Sequence, residues 1–368
     1  MPVSLTVKKV EGKPGQVYYP LQINTTPNPP TPGPGQVLIK LSAAALNHRD
    51  LFIRQQLYPG ISFEHPLLAD GYGVVVDVGP NTSSDKLGKP VVLNPCWGWE
   101  SDPAGPEDNG ARYAVIGGAA QYDIGTAQEY AVVPEAEVFV APEHLSAVEG
   151  AALPLVGVTG WRALVTKCFN GDAKGQQGKN VLITGIGGGV ALQTLQFAVA
   201  MGCNVYVTSG DQEKIEKAKA MGAKGGVIYK EQGWEKTLQK MLPEERKYLD
   251  AVVDGAGGDI VSKASRLLKV GGVIAVYGMT ISPKMDWVMQ AVLKNVELKG
   301  TSMGSKKEVG EMLEFVREHK IRPVVSKVVK GLDNIEGIEG LFEDMKHGKQ
   351  FGKLVIEIAD AMSSSPKL

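Results

Sequence analysis

The stretch NVLITGIGGGVA, residues 180–191, decides the fold of the region around it. Its first residues are apolar and β-branched, which is typical of a buried strand, and the apolar segment behind its glycines reads as a helix. A loop that binds phosphate needs a tight turn, a backbone without a Cβ in the way, and free amides at a helix N-terminus. The stretch offers all three features, whereas a plain turn would need only the conformational freedom of glycine. We therefore predict a dinucleotide-binding loop formed by Gly185, Gly187, Gly188, Gly189 and Val190.

Strands and helices alternate outward from this loop. The segments CNVYVTSG, LDAVVDGA and VIAVYGM read as strands, and DQEKIEKAKAMG and VSKASRLLKVGG between them read as helices. Continuous β-branched runs that alternate with helices favour a parallel sheet covered on both faces. The sequence thus predicts an α/β fold with a doubly wound Rossmann domain over residues 157–321.

The end of the second strand of this domain favours NADP over NAD. A site for NAD presents Asp or Glu there, about twenty residues after the glycines, to hold the ribose hydroxyls. Ser209 stands at this position, and it can donate a hydrogen bond to a 2′-phosphate that a carboxylate would repel. Lys214, one turn into the next helix, brings a positive charge within reach, although it is also explained as a solvated helix lysine. Asp211 nearby is expected to cap that helix.

Short strand-like runs dominate the chain before residue 156. QVLIKLSAAAL, YGVVVDVG and KPVVLNP alternate with turn residues, which indicates a β-barrel-like or sandwich region. Residues 97–120 lack periodicity and contain several breakers, so we expect a long surface loop. The closing segment GKLVIEI is strand-like as well, and we expect it to rejoin the first domain. This first domain is therefore predicted over residues 1–156 and 322–368.

Composition and charge argue against several function classes. The 368 residues are 43% hydrophobic and 21% charged, with a formal net charge of -1. Such a balance gives no electrostatic attraction to nucleic acid or to an anionic membrane. The N-terminal residues lack the features of a signal peptide, and no apolar run approaches the roughly 20 residues of a membrane span. The three cysteines form no CxxC pair and read as small buried residues. We expect a cytosolic protein.

Several motifs together resemble the medium-chain dehydrogenase/reductase superfamily, and within it the zinc-lacking quinone oxidoreductase-like branch. Their order and spacing extend over nearly the whole chain and are more specific than any single motif. The matching pieces are ALNHRDL at 45–51, GYGVV at 71–75, ALP at 152–154, GVTG at 157–160, the glycine loop, GGVI at 271–274 and GKLV at 352–355. The resemblance implies a GroES-like β-barrel catalytic domain built from both chain ends around the Rossmann domain. It also implies a cleft between them for the nicotinamide and a homodimer through the Rossmann domains.

The same resemblance provides a test for zinc. Zinc-dependent members carry cysteine at the position of Asn47, and histidine and glutamate at those of Ala69 and Asp70. Those members carry a further cysteine near the position of Leu155 or Val156 in this chain. A catalytic zinc ion needs about three protein ligands with nitrogen, sulfur or oxygen atoms. Only Asp70 has a suitable side chain, so we expect no metal.

The resemblance also assigns catalytic residues. Asn47, Asp50 and Tyr58 are implied to face the nicotinamide, with Tyr58 as the hydrogen-bond donor or proton source. A phenol can hydrogen-bond an enolate oxygen without being charged at neutral pH. Since Tyr58 precedes Pro59, an ordinary aromatic residue in a turn is the alternative explanation.

Further residues are implied to contact the cofactor. By resemblance, Thr159 packs on the nicotinamide, with a helix cap as its alternative role. Tyr229 is implied to bring a phenol to the 2′-phosphate, beside Ser209 and Lys214. Ligands gather at the carboxyl ends of parallel strands. The residues expected at such ends are Gly278, Met279, Met303 and Gly304. Lys353 in the closing strand is expected to reach the cofactor phosphates.

These expectations converge on a reductase. Without a metal to polarise a carbonyl group, hydride delivery must be helped by hydrogen-bond donors, which suits quinones and α,β-unsaturated carbonyl compounds. The predicted function is therefore NADPH-dependent, zinc-independent reduction of a small molecule of this kind. Three alternatives stay open: a zinc-free carbonyl or alcohol dehydrogenase, a trans-acting enoyl reductase of a biosynthetic pathway, and a non-catalytic NADPH-binding protein.

Overall fold

The structure, a computed structural model, describes residues 1–82, 85–108, 110, 112–282 and 284–358. The chain divides into two compact units: Met1–Leu155 with Ser305–Leu368 form the first, and Val156–Gly304 the second. The first unit therefore takes its residues from both sides of the second in the sequence. In the described ranges, no helix is long and apolar enough to cross a membrane.

The N-terminal part of the first unit consists mainly of short strands. Its elements are β1 (Val3–Val7), β2 (Leu21–Thr25), β3 (Gln36–Ala45), α1 (His48–Arg54), β4 (Asp70–Val78), β5 (Pro90–Leu93), β6 (Cys96–Trp97), β7 (Ala114–Val115), β8 (Tyr130–Pro134), β9 (Val138–Val140) and α2 (Ala147–Ala151). β1 pairs antiparallel with β2. β3 pairs antiparallel with both β4 and β8, and most of its side chains are buried. β3 is therefore the central strand of this part.

The second unit alternates strands with helices. The chain enters it within α3 (Pro154–Trp161), which continues as a π-helical segment at Arg162–Cys168. Its further elements are β10 (Asn180–Ile183), α4 (Gly189–Ala200), β11 (Asn204–Ser209), α5 (Gln212–Ala220), β12 (Gly225–Ile228), α6 (Trp234–Met241), β13 (Leu249–Asp254), α7 (Ile260–Leu267), β14 (Leu268–Val276), α8 (Met289–Leu293) and β15 (Glu297–Gly300).

The strands of the second unit form one parallel sheet in the order β12-β11-β10-β13-β14-β15. Counted from β10 this is the order 3-2-1-4-5-6 of the doubly wound dinucleotide-binding fold. Every residue of the central strands β10 and β13 is buried. Leu182, Val252 and Ile274 of the sheet pack in one apolar cluster with Trp234 and Leu238 of α6, and each such side chain contributes about 1.5–3 kcal/mol through burial. The predicted Rossmann domain is confirmed.

The chain then returns to the first unit. It forms α9 (Lys306–His319), β16 (Val325–Lys330), α10 (Ile335–Lys346) and β17 (Lys353–Glu357). β17 pairs antiparallel with the end of β3, with Val355 opposite Ala45. The resulting sheet has the order β16-β17-β3-β4-β5-β9, and β8 adds to β3. The closing strand therefore rejoins the first unit, as predicted.

The boundary predicted after residue 321 is corrected by the structure, because α9 belongs to the first unit. The backbone N–H of Lys306 donates to Trp99 O, and that of Lys307 donates to Glu100 O, both at 2.9 Å. Lys306 Nζ also lies 2.6 Å from a Glu100 carboxylate oxygen and 3.3 Å from one of Glu137. The helical periodicity of α9 was visible in the sequence, whereas these partners are distant in the chain.

The segment at residues 97–120 contains more structure than the surface loop that we predicted. β6 pairs antiparallel with β7, and the side chains of Trp97 and Trp99 are buried. The Glu107 carboxylate accepts three consecutive backbone N–H groups, those of Glu100, Ser101 and Asp102, at 2.8, 2.6 and 2.8 Å. Residues 109 and 111 of the segment lie outside the described residues. Aromatic packing and one carboxylate thus organise a stretch without sequence periodicity.

Candidate functional site

The glycine loop joins β10 to α4 in the second unit. Gly185 and Gly187 have φ angles of 66° and 116°, a region that residues with a Cβ avoid. Gly188 is the N-cap of the 12-residue helix α4, whose first backbone N–H groups have no partner within the helix. The N–H of Ile186 donates to Thr208 O at 2.9 Å and ties the loop to β11. The loop has the form that phosphate binding requires.

Lys214 of α5 lies against this loop. A Cβ built on Gly187 would lie 2.9 Å from Lys214 Cδ and 3.3 Å from its Nζ. Partial burial lowers the pKa of the Lys214 ammonium, and the nearby Asp211 carboxylate opposes this shift. The side chain is thus half-buried beside the glycines and does not extend into solvent from the helix. Because residue 187 is a glycine, a space remains between the loop and the Lys214 side chain, which we call the cradle. Any side chain at position 187 would fill it.

The end of β11 brings together the other residues predicted for the 2′-phosphate. Ser209 is buried, and its Oγ accepts the N–H of Asp211 at 3.1 Å. The N–H of Tyr229 donates to Ser209 O at 3.0 Å. A Cβ on Gly210 would lie 3.2 Å from both Tyr229 Oη and Lys230 Cε. Asp211 caps α5 by accepting the N–H of the second helical residue at 2.9 Å, as predicted.

Lys230 is a residue that the sequence reasoning missed. Its Nζ lies 5.9 Å from the centre of the Tyr229 ring, so an ammonium group stands beside this phenol. The available signal was its position directly after Tyr229 at the end of β12, on the same edge of the sheet as Ser209.

The remaining predicted cofactor residues lie at or near the carboxyl ends of neighbouring strands. Gly278 and Met279 follow β14, and Met303 and Gly304 follow β15. Thr159 Oγ1 donates to Met303 Sδ at 3.7 Å. Thr159 lies inside α3 and not at its end, so its alternative role as a helix cap is wrong. The structure therefore brings Thr159 and Met303 together within the second unit.

Asn47 lies at the centre of a buried polar group in the first unit. Its Nδ2 donates to Asp70 Oδ2 at 2.9 Å, and its Oδ1 accepts from Lys353 Nζ at 2.6 Å. Lys353 Nζ also donates to Asp70 Oδ2 at 2.9 Å and to Leu46 O at 2.7 Å. Asp70 Oδ1 accepts the backbone N–H of Leu155 at 2.7 Å. We call Asn47, Asp70 and Lys353, which are 7%, 0% and 4% exposed, the Lys353 cluster.

The expected role of Lys353 at the cofactor phosphates is corrected by these contacts. An ammonium group has three N–H donors, and those of Lys353 are taken by Leu46 O, Asn47 Oδ1 and Asp70 Oδ2. The pairing of β17 with β3 places Lys353 beside the residues that follow β3. Sequence reasoning placed the lysine on the correct strand but could not show which acceptors surround it.

The side chains at the positions of zinc ligands do not fit a zinc ion. Asn47 and Asp70 already bind an ammonium group, which repels a divalent cation, and Ala69 offers no donor atom. A catalytic zinc ion needs three protein ligands. Nowhere in the part of the chain that the structure describes do three His, Cys, Asp or Glu residues come together at metal-binding distance.

Asp50 and Tyr58 are linked through Arg49. Asp50 Oδ2 accepts the backbone N–H of Asn47 at 2.7 Å, and its Oδ1 lies 3.3 Å from Arg49 Nη1. Complete burial raises the pKa of Asp50 from 3.8 to about 6, although Arg49 opposes the shift. Arg49 donates to Ile116 O at 2.9 Å, and its guanidinium carbon lies 4.7 Å from the centre of the Tyr58 ring. Asp50 is therefore a buried support of Asn47, and Tyr58 is a half-buried phenol that packs on a cation.

Two family models match the chain. Residues 33–143 match the alcohol dehydrogenase GroES-like domain, and residues 189–318 match a model described as zinc-binding dehydrogenase. The two matches fall mainly in the first and second unit respectively. They confirm that the chain contains a GroES-like domain as well as the Rossmann domain.

Individual relatives extend over the whole chain. The "Zinc-type alcohol dehydrogenase-like protein YogA" of Leptosphaeria maculans is 58% identical, and the alignment covers 97% of this chain and all of that protein. A zinc-type alcohol dehydrogenase-like protein of Schizosaccharomyces pombe is 31% identical, with 94% and 95% covered. A crystal structure of an NAD-dependent alcohol dehydrogenase superposes with a TM-score of 0.81 at 31% identity, with 98% and 100% covered. The chain is thus an oxidoreductase with the fold of nicotinamide-dependent enzymes, and it belongs to the medium-chain dehydrogenase/reductase superfamily.

Proposed function

We propose that the chain is an NADPH-dependent, zinc-independent reductase of quinones or α,β-unsaturated carbonyl compounds, as in the zinc-lacking quinone oxidoreductase-like branch of its superfamily. The observation that carries this proposal is the Lys353 cluster. By resemblance, Asn47 and Asp70 stand at positions where zinc-dependent relatives place metal ligands, and here both bind the ammonium group of Lys353. A saturated carbonyl group needs strong polarisation, whereas a conjugated acceptor spreads the charge that hydride addition creates. A hydrogen-bond donor is then sufficient.

The side chains at the end of β11 support NADPH as the cofactor. Ser209 stands where a carboxylate would select NAD, and Lys214, Tyr229 and Lys230 add two ammonium groups and a phenol. Such donors suit a 2′-phosphate, which carries nearly two negative charges at neutral pH. The carboxylate of Asp211 is occupied in capping α5.

Residues of the first unit supply the hydrogen bond and the proton that the reduction needs. When bound, NADPH supplies a hydride ion to the electrophilic carbon of the acceptor. Asn47 donates an N–H to the acceptor oxygen on which negative charge develops. Tyr58 donates the proton that completes the reduction, and its ring is held in place by Arg49, which Ile116 O and Asp50 fix in turn.

An acceptor screen tests this proposal. Purified protein dialysed against a zinc chelator is assayed with NADPH, and with NADH in parallel, on quinones, enones and saturated aldehydes. We expect turnover of quinones or enones with NADPH, unchanged by the chelator. Preferred turnover of saturated aldehydes would instead favour the carbonyl or alcohol dehydrogenase that the names of the relatives suggest. NADPH binding without turnover of any acceptor would point to a non-catalytic protein.

We also propose a homodimer formed through the sheet edge of the second unit. Among the described strands β15 pairs only with β14, so one edge of β15 is open, and open edges pair readily with another copy of themselves. Large apolar side chains near it are exposed: Trp287, Met289, Leu293 and Leu298 at 47%, 69%, 76% and 41%. Light scattering is expected to give twice the chain mass. Leu293→Glu with Leu298→Glu should give a monomer, and Leu87→Glu on the first unit should not.

The compartment that we propose is the cytosol. Cys96, Cys168 and Cys203 are buried thiols that form no disulfide, and reduced thiols are typical of a reducing compartment. Fractionation of cells that produce the protein should recover it with cytosolic markers.

A further inference from the structure

We propose that Lys353 is a positioning residue, which locks the side-chain amide of Asn47 in one orientation and leaves one of its N–H groups for the acceptor oxygen. This inference rests on the proposed function, because it concerns how the reducing site stabilises negative charge without a metal. It assigns to Lys353 a role in the reaction, exerted through Asn47, that does not require Lys353 to touch substrate or cofactor.

The two partners of the Asn47 amide differ in hydrogen-bonding chemistry. Lys353 is a donor only, so it requires the oxygen of the amide, and it lies 2.6 Å from Oδ1. The Asp70 carboxylate is an acceptor only when ionised, so it requires the nitrogen, and it lies 2.9 Å from Nδ2. A flipped amide would place N–H groups against an ammonium and oxygen against a carboxylate. The pair of opposite charges therefore excludes one of the two amide orientations.

One N–H of the Asn47 side chain has no partner within the Lys353 cluster. Asn47 Nδ2 carries two hydrogens, one of which Asp70 Oδ2 accepts. Within the residues that the structure describes, no acceptor is found for the second. Lys353, in contrast, has three acceptors for three N–H groups, so it has none left for a substrate. Asn47 is thus the member of the Lys353 cluster that can donate further.

The charge of Lys353 also changes the donor strength of this N–H. An ammonium group on the carbonyl end of an amide draws electron density from its nitrogen, and hydrogen bonds in a chain strengthen one another. The cluster is buried, so solvent screens this effect little. Asp70 balances the charge, which allows the ammonium group to stay buried. The uncharged amide of Asn47 is thus polarised by Lys353, and it can in turn polarise the acceptor oxygen, which a metal ion would do directly.

The backbone holds the lysine in place. The N–H of Leu46 donates to Leu354 O at 2.9 Å, so the residue before Asn47 pairs with the residue after Lys353. The backbone of Lys353 is therefore held in place by strand pairing, and its ammonium group is held by three acceptors.

A double-mutant cycle on turnover tests the inference. The variants are Asn47→Ala, Lys353→Met and the two together, measured with the best acceptor of the screen. Removing the donor in Asn47→Ala should lower kcat about 100-fold. Lys353→Met should lower kcat about 10-fold or more and leave the Kd for NADPH within about twofold. The double variant should be no slower than Asn47→Ala, because the lysine acts only through the amide. Three outcomes would each overturn the inference. The first is a loss of kcat in the double variant that equals the product of the losses in the single variants. The others are an unchanged kcat in Lys353→Met and weaker binding of NADPH by that variant.

A second measurement separates this inference from the proposed function. If the unaltered protein reduces no acceptor, the proposed function has failed and the positioning role fails with it. The cluster itself is still tested by urea denaturation. Lys353→Met should lower the unfolding midpoint, and Lys353→Met with Asp70→Asn should recover part of the loss, because no lone charge is left buried. An unchanged midpoint in Lys353→Met would show that the lysine is not paired in the cluster.

Discussion

The ammonium group of Lys353 lies 2.9 Å from Asp70 Oδ2, and both side chains are almost completely buried. Removing one partner leaves the other as a lone buried charge, which is more costly than exchanging both for apolar groups. We expect Asp70→Ala to lower the free energy of unfolding by about 3–5 kcal/mol, measured by urea denaturation. Asp77→Ala, at an exposed position of the same strand, is the control and should change it by no more than about 0.5 kcal/mol. Equal effects of the two substitutions would contradict the pairing.

Cofactor selectivity should depend on Lys214. Its loss removes a charged contact to the 2′-phosphate, so Lys214→Ala should weaken NADPH binding about 10-fold and leave NADH nearly unchanged. Fluorescence titration with both cofactors measures this. Lys217→Ala, one turn further along α5 and half-exposed, should alter neither constant. An equal loss for both cofactors would show that Lys214 does not distinguish them.

The cradle at Gly187 should tolerate no side chain. Its φ of 116° is unfavourable for alanine, and a Cβ would lie 2.9 Å from Lys214 Cδ. We expect Gly187→Ala to weaken binding of NADPH and NADH alike by about 10-fold or more, because the loop would shift from the phosphates. Gly171→Ala is the matched control, since Gly171 has a φ of 85° and open space around its Cβ position. It should cost stability of about 1 kcal/mol and leave both affinities unchanged.

The contribution of Asp50 to the stability of the protein should fall with rising pH. Burial raises the pKa of Asp50 from 3.8 in the unfolded chain to about 6 in the folded protein. A raised pKa means that its favourable contribution is complete below about pH 3.8 and is lost as the pH rises through about 6. The free energy of unfolding of the unaltered protein, minus that of Asp50→Asn, should therefore fall by about 2 kcal/mol between pH 4 and pH 7.

Urea denaturation of both proteins across this pH range measures the difference. Asparagine keeps an oxygen that can accept the N–H of Asn47, as Asp50 does, but it does not titrate. All other titrating groups are shared, so their contributions cancel to first order. A difference that stays constant with pH would show that Asp50 titrates at its ordinary value.

Elements that depend on neighbours in the sequence were predicted well. The glycine loop, the start of α4 and the cap at Asp211 lie where expected, since turn geometry and helix ends are set by a few adjacent residues. The return of the closing strand to the first unit was also predicted, from the strand-like pattern of the chain end, although its pairing partner β3 was not.

Predictions that needed partners distant in the chain were less successful. α9 was assigned to the second domain, because its periodicity does not show that its start binds Trp99 and Glu100. The segment at residues 97–120 was expected to be a surface loop, since aromatic packing leaves no periodic signal. Lys230 was missed although it directly follows Tyr229, because a single lysine after a strand is a weak signal.

The sequence by itself determined the class of this protein: a doubly wound domain with a dinucleotide loop, a second domain of short strands, and unsuitable residues at the zinc positions. Local backbone preferences are sufficient for the first two conclusions. The third combines side-chain chemistry with the family resemblance, which alone identifies the zinc positions. Only the tertiary structure showed which groups surround the ammonium group of Lys353: they are Leu46 O, Asn47 Oδ1 and Asp70 Oδ2. The reason is that Lys353 and Asn47 are 306 residues apart. Sheet pairing and burial, which no local pattern encodes, select the acceptors of its ammonium group.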